Sequence, residues 1–151
     1  MQNPEHIVVR VYGLIINIHK EVLLSDEFQM GMDMTKFPGG GLKPGEGPAE
    51  CIKREILEEF GQAGEIVSHF YTTDFFQKAL FYDNHQLISI YYRIRFPEPI
   101  RFKISDRPFD FTERIEGNQS FRWKSIQQLQ EQDLTFPIDK KVALMLKASY
   151  S

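Results

Sequence analysis

The chain has only one cysteine, Cys51, in 151 residues. No internal disulfide can form, which fits a reducing compartment. There is no basic excess either. Lys and Arg number 18 against 21 Asp and Glu, giving a formal net charge of −3. That argues against the positively charged surface needed for non-specific nucleic-acid binding. No apolar run approaches the ~20 residues of a bilayer-spanning helix. The opening MQNPEHIVVRV lacks the charged and apolar parts of a signal peptide. Internal repeats, low-complexity tracts and linkers are also missing. These absences point to a cytoplasmic protein with no nucleic-acid or membrane partner. The length suggests one domain over residues 1–151, enough to bury about two-thirds of the surface an unfolded chain exposes.

Alternating Val, Ile and Tyr from Ile7 to Ile18 predict a strand, with Glu21 to Leu24 as a short return. Phe28 to Thr35, carrying Met30, Met32 and Met34, reads as a loop. Glu65 to Phe76 has strand character, and Leu80–Tyr82 and Leu87–Phe96 flank the turn signal Asp83-Asn84-His85. Pro97, Pro99 and Pro108 make 97–117 mostly loop, and Asn118 to Trp123 a short strand. Ser125 to Gln132 reads as a helix with Ser125 as N-cap, and Ile138 to Ser149 as a final helix entered through Pro137. With the helix described next, this makes three helices on a mixed sheet, an α/β chain in three layers.

The most informative segment is GGLKPGEGPAECIKREILEEFGQ, Gly40 to Gln62. Pro48 suits a first helical turn, and Gly61 a stop. Between them Ala49, Ile52, Ile56 and Phe60 form one apolar stripe. Glu55, Glu58 and Glu59 then share one face at i, i+3 and i+4. Like charges at that spacing repel by roughly 0.2–0.5 kcal/mol per pair, and the last helical turn disfavours anions. A solvated acidic face would tolerate this. A divalent cation would reverse every one of these terms, and hard oxygen ligands suit Mg²⁺ or Mn²⁺. Arg54 could pin a carboxylate through a bidentate bond. The preceding Phe37-Pro38-Gly39-Gly40-Gly41 lets backbone approach a ligand closely.

The whole run resembles the signature of the Nudix hydrolases, Mg²⁺-dependent enzymes that cleave nucleoside diphosphates linked to a second group. Gly40, Glu46, Arg54, Glu55, Glu58, Glu59 and Gly61 stand at the signature's fixed positions. Gln62 departs from it, where an aliphatic residue is usual. The resemblance implies a Nudix-type α/β/α sandwich with a mixed central sheet. It extends to Arg122–Leu129, which is similar to the family's last strand and following helix.

It also implies residue roles. Glu55, Glu58 and Glu59 would bind Mg²⁺ (or Mn²⁺), with the Gly39 carbonyl completing the shell. Glu46 would support the loop and reach a metal through water, and Arg54 would orient Glu55. Gly39, Gly40 and Gly41 would face the substrate phosphates. Glu116 lies ahead of the last strand, where MutT-like members carry a further Glu, and is the candidate fourth ligand or base, with Glu113 and Glu98 in reserve. Asp139 stands near where those members read the base, often with Asn. Tyr71, Phe75, Phe76, Phe81 and Tyr82 are candidates for stacking it. Cys51 reads as a small half-buried filler, and His6, His19, His69 and His85 lack metal-type spacing.

The expected activity is hydrolysis of a pyrophosphate bond, as in a compact house-cleaning (d)NTP pyrophosphatase. An ADP-ribose or nucleotide-sugar pyrophosphatase is the alternative. No Pro occurs between Pro48 and Pro97, where ADP-ribose hydrolases tend to have one. A catalytically silent ligand sensor usually has a damaged signature, and here every carboxylate is present. Many relatives pair, so a homodimer is compatible with the resemblance.

Overall fold

A computed structural model describes residues 3–97 and 99–150. Its first sheet has the order β4-β1-β6-β5, with β1 His6–Ile15, β4 Gly39–Gly41, β5 Glu65–Thr72 and β6 His85–Arg95. β1 and β6 run parallel from His6 opposite His85 to Ile15 opposite Ile94, while β4 and β5 pair antiparallel. The sheet is therefore mixed. A second sheet has the order β3-β2-β7, with β2 Glu21–Gln29, β3 Met32–Lys36 and β7 Gln119–Ser125, all antiparallel.

Strand periodicity divides the core. On β1, Val11 and Ile15 join Leu23 and Ile94 against Ile52, Ile56 and Phe60 of α1 (Pro48–Phe60). The alternate residues Tyr12 and Leu14 join Val22, Leu24 and Tyr91 against Ile138, Val142 and Leu146 of α2 (Pro137–Ser149). One helix covers each face, as the α/β/α expectation requires.

Two expected elements differ. Phe28–Thr35 is not a loop: β2 continues to Gln29 and returns as β3. The turn is Met30-Gly31, both at positive φ (54° and 72°), the backbone of a tight hairpin. The helix expected over 125–132 is two 3₁₀ turns, Ile126–Gln128 and Glu131–Asp133, and Ser125 makes no side-chain cap bond. Among the described residues there are thus two α-helices rather than three.

α1 begins and ends where the sequence indicates. Glu50 Oε1 accepts the Gly47 N–H, Pro48 opens the first turn, and Gly61 closes the helix in the left-handed region at φ 67°. Gln62, the departure from the signature, is buried. Its amide donates to the carbonyls of Pro97 and Pro99, and its oxygen accepts the Arg101 N–H. A polar clamp here fastens the Pro-rich loop to the helix end.

Candidate active site

The solvent face of α1 and the strand β4 form one polar cluster, centred on Arg54. Its guanidinium donates to both oxygens of Glu46 (2.7 and 3.0 Å), to Glu55 (2.8 Å), to Glu58 (3.3 Å) and to the Gly41 carbonyl (3.1 Å). The Arg54 hydrogen bonds hold the Glu46 carboxyl down to about 2. Glu46 also accepts the Lys43 N–H, which braces the loop ahead of α1. Gly40 has no room for a side chain: a Cβ there would stand 2.3 Å from the Glu55 carboxyl carbon. Beneath the cluster Cys51 is fully buried, and burial pushes its thiol up to about 11. That rules it out as a thiolate nucleophile at neutral pH.

Glu59 lies apart from Arg54. Its Oε1 accepts from Gln119 Nε2, while Oε2 is buried with no partner. Desolvation pushes this carboxyl up to about 7, nearby Glu27 adds to the rise, and Lys36 and the Gln119 bond oppose it. Glu27 is buried and takes bonds from Ser25 Oγ (2.7 Å) and Gln119 Nε2 (3.3 Å), with Lys36 Nζ at 3.5 Å. An orphaned buried carboxylate oxygen beside an all-oxygen donor set has the chemistry that a hard divalent cation satisfies. Among the described residues no three acidic, His or Cys side chains already converge around one point.

Beside this cluster a cleft of about 330 Å³ opens between the two sheets and the start of α2. Tyr12 and Tyr91 stack in it with centroids 5.1 Å apart. Met34, Phe81, Tyr82 and Phe136 complete much of the apolar wall, and Arg10, Glu27, Lys36, Lys78 and Asp139 supply its charge. Asp139 is buried there and accepts the Tyr91 hydroxyl at 2.6 Å. Desolvation raises its carboxyl to about 6 against the lowering effects of Tyr91, Lys36, the Phe37 backbone and Arg10.

The structure therefore brings Gly40, Gly41, Glu46, Arg54, Glu55 and Glu58 into one network, with Glu59 joined to Gln119 beside it. Gly39 continues the same strand against Tyr12. Asp139, Phe81 and Tyr82 belong to the cleft. Tyr71 and Phe75 lie under Lys141 Nζ, and Phe76 is exposed. Glu116 is exposed, and its Oε1 accepts the Gly31 N–H at 2.9 Å, bracing the β2–β3 turn. No hydrogen bond or ion pair links it to the helix carboxylates; Gln119 makes that link instead. Glu113 is exposed, and Glu98 lies outside the described residues. Sequence reasoning missed Arg10, Tyr12, Glu27, Lys36, Tyr91 and Gln119. For Arg10 and Tyr12 a signal existed: period-two alternation puts both on the strand face opposite Val11.

No curated protein matches the sequence. Solved structures do. A MutT structure described for Aliivibrio salmonicida and Vibrio cholerae is 22% identical, with TM-score 0.57, covering 95% of this chain and 98% of its own. A NUDIX hydrolase from Nitrosomonas europaea is 18% identical, with TM-score 0.67 and coverage of 99% and 90%. A MutT protein from Methanosarcina mazei Go1 is 17% identical, with TM-score 0.66 and coverage of 100% and 99%. At these identities the likeness speaks for the fold. The NUDIX domain model, however, matches residues 6–145, nearly the whole chain from the start of β1 into α2, so the chain belongs to the NUDIX family and is a hydrolase of pyrophosphate bonds.

Proposed function

We propose that the chain is a Mg²⁺-dependent hydrolase, with Mn²⁺ able to substitute, that cleaves the pyrophosphate bond of a nucleoside diphosphate linked to another group, in particular a (d)NTP. The observation that carries this reading is the adjacency of two features. A carboxylate helix with an orphaned Glu59 oxygen stands next to a cleft floored by stacked Tyr12 and Tyr91. One suits a cation and phosphates, the other a flat base.

Glu55, Glu58 and Glu59 would hold the cation. When bound it neutralises phosphoryl oxygens and lowers the pKa of a water. The chain's own groups keep the site in order. Arg54 holds Glu46 and Glu55 in fixed positions through charge-assisted bonds. Gln119 orients Glu59 so that its second oxygen stays free. Gly40 keeps the strand close over Glu55.

The test is a phosphate- and pyrophosphate-release screen over NTPs, oxidised dNTPs, nucleotide sugars, ADP-ribose and dinucleoside polyphosphates, with Mg²⁺, Mn²⁺ or EDTA. Metal-dependent turnover of one class is expected. Losing an outer partner of a metal ligand alone costs about 10–100-fold, so Glu59→Gln should lower kcat by about a hundredfold or more with the thermal midpoint kept. Full activity in that variant would remove Glu59 from the site. Ligand binding without turnover of any compound would favour a sensor.

A further inference from the structure

Arg10 stands in the middle of β1, where a guanidinium is out of place: the strand around it is apolar and buries its second half completely. A half-buried arginine ordinarily has a carboxylate partner. This one has none. Among the described residues no acidic group lies within ion-pair distance of it, and its one hydrogen-bond acceptor is the Tyr12 hydroxyl, reached from Nε at 2.9 Å. Of the other cations around the site, Lys78 is exposed at the cleft rim, and Lys36 and Arg54 are engaged. Lys36 faces Glu27 at 3.5 Å, and Arg54 holds three carboxylates. Among the described residues the terminal N–H groups of Arg10 have no acceptor.

Its position explains what could use them. In the sheet Arg10 lies opposite Gly41, and a Cβ on Gly41 would come within 4.0 Å of Nη1. The next glycine, Gly40, turns its other face to the Glu55 carboxyl. Successive residues of a strand face opposite ways, so β4 is a wall one backbone thick between Arg10 and the glutamate helix. No side chain intervenes, because all three residues are glycine. On the cleft side Nε is tied to the Tyr12 hydroxyl, and the Tyr12 ring stacks on Tyr91. The aromatic floor and the cation are thus one connected unit lining the same cleft. A planar fork of donors in that place matches the paired oxygens of a phosphate or a carboxylate, and the substrate of a pyrophosphate hydrolase supplies phosphates.

We infer that Arg10 is a phosphate-binding residue of the cleft, taking non-bridging oxygens of a diphosphate that runs from the Tyr12–Tyr91 floor towards the glutamates of α1. This rests on the hydrolase reading above. It assigns a residue outside the signature helix, on a different strand.

The experiment is calorimetric titration of imidodiphosphate, a non-hydrolysable diphosphate, with Mg²⁺ present. It compares the wild type, Arg10→Gln and Arg10→Lys, and uses thermal midpoints to check that each variant is folded. Steady-state kinetics on the best substrate from the screen run alongside. Arg10→Gln is expected to bind imidodiphosphate at least about tenfold more weakly and to raise KM more than it lowers kcat. Arg10→Lys, which keeps the charge and loses the fork, should fall between. If Arg10→Gln does not fold, Arg10→Lys decides: wild-type affinity there overturns the assignment of the fork. Unchanged imidodiphosphate affinity in a folded Arg10→Gln also overturns the inference, leaving Arg10 as packing for Tyr12 and the hydrolase reading intact. A wild type that neither binds imidodiphosphate nor turns over any substrate overturns both.

Discussion

Asp139 is a carboxylate held where charge is expensive. It is buried, and its folded carboxyl sits at about 6 rather than near 3.8. Burial is the largest cause. The groups facing it are the Tyr91 hydroxyl, Lys36, Arg10 and the Phe37 backbone, and together they offset burial only in part. The native state therefore holds a proton more tightly than the unfolded chain. Stability from this group is fully present below about 4 and is lost as pH rises through about 6. A shift of this size corresponds to something on the order of 3 kcal/mol. Asp139→Asn keeps an acceptor for Tyr91 and removes the titration. Urea midpoints between pH 4 and 7 should fall for the wild type and stay flatter for the variant. Parallel slopes would mean that another group sets the pH dependence.

At the scale of the element, β4 is the part on which the site depends most directly, and its glycines differ in what they avoid. A Cβ on Gly39 would lie 2.1 Å from the Val11 carbonyl oxygen and 2.7 Å from the Tyr12 Cα. Those are backbone atoms of the neighbouring strand and cannot step aside. A Cβ on Gly40 meets only the end of the Glu55 side chain, which can. Gly39→Ala should therefore destabilise the fold by about 3 kcal/mol or more, at or above the usual range for overpacking. Gly40→Ala should keep a near-native thermal midpoint and lose turnover, because the displaced group is the carboxylate. Denaturation and activity measured on both variants separate the two effects. The same contrast between local and distant causes explains what was legible in the sequence. The stripe, Pro48 and Gly61 of α1 are local signals, and so is its row of glutamates, so the helix and its carboxylates could be read directly. The β2–β3 hairpin was hidden because its middle is polar yet buried: Asp26 is bonded by Thr35 and Arg122, and Ser25 and Glu27, besides bonding each other, both take Gln119 of β7, far outside any local window. In 126–132, Ile126 and Leu129 are buried at a spacing of three; that period suits 3₁₀ turns as well as an α-helix. The cleft draws Arg10, Lys36, Tyr91 and Asp139 from β1, β3, β6 and α2, and only the folded topology brings them together.

For the whole molecule the question is what holds the second sheet in place, since Glu27, Lys36 and Gln119 all belong to it. The backbone does little: the bridge between Ile16 and Val22 is the one described pairing across β1 and β2. Packing of Val22, Leu23 and Leu24 sets it against the first sheet, and the polar tie that holds its own strands together is Asp26, which is fully buried. Arg122 grips it with two bonds at 2.7 and 3.2 Å, Thr35 Oγ1 donates at 2.7 Å, and the Phe109 N–H at 3.2 Å. One carboxylate thus joins β2, β3, β7 and the long loop ahead of β7. Removing one partner of a buried pair leaves a charge uncompensated and costs about 3–5 kcal/mol. An exposed pair is worth about 0–1 kcal/mol, and Arg95 with Glu65, at 66% and 51% side-chain exposure, is the internal comparison. Arg122→Ala should therefore lower unfolding stability several times more than Arg95→Ala. Because Gln119 and Glu27 move with the same sheet, it should also reduce the stabilisation that Mg²⁺ gives by mass action. Urea unfolding of both variants with and without Mg²⁺ reads both quantities. Equal losses in the two variants would show that the Asp26 network adds nothing to the second sheet beyond strand pairing and core packing.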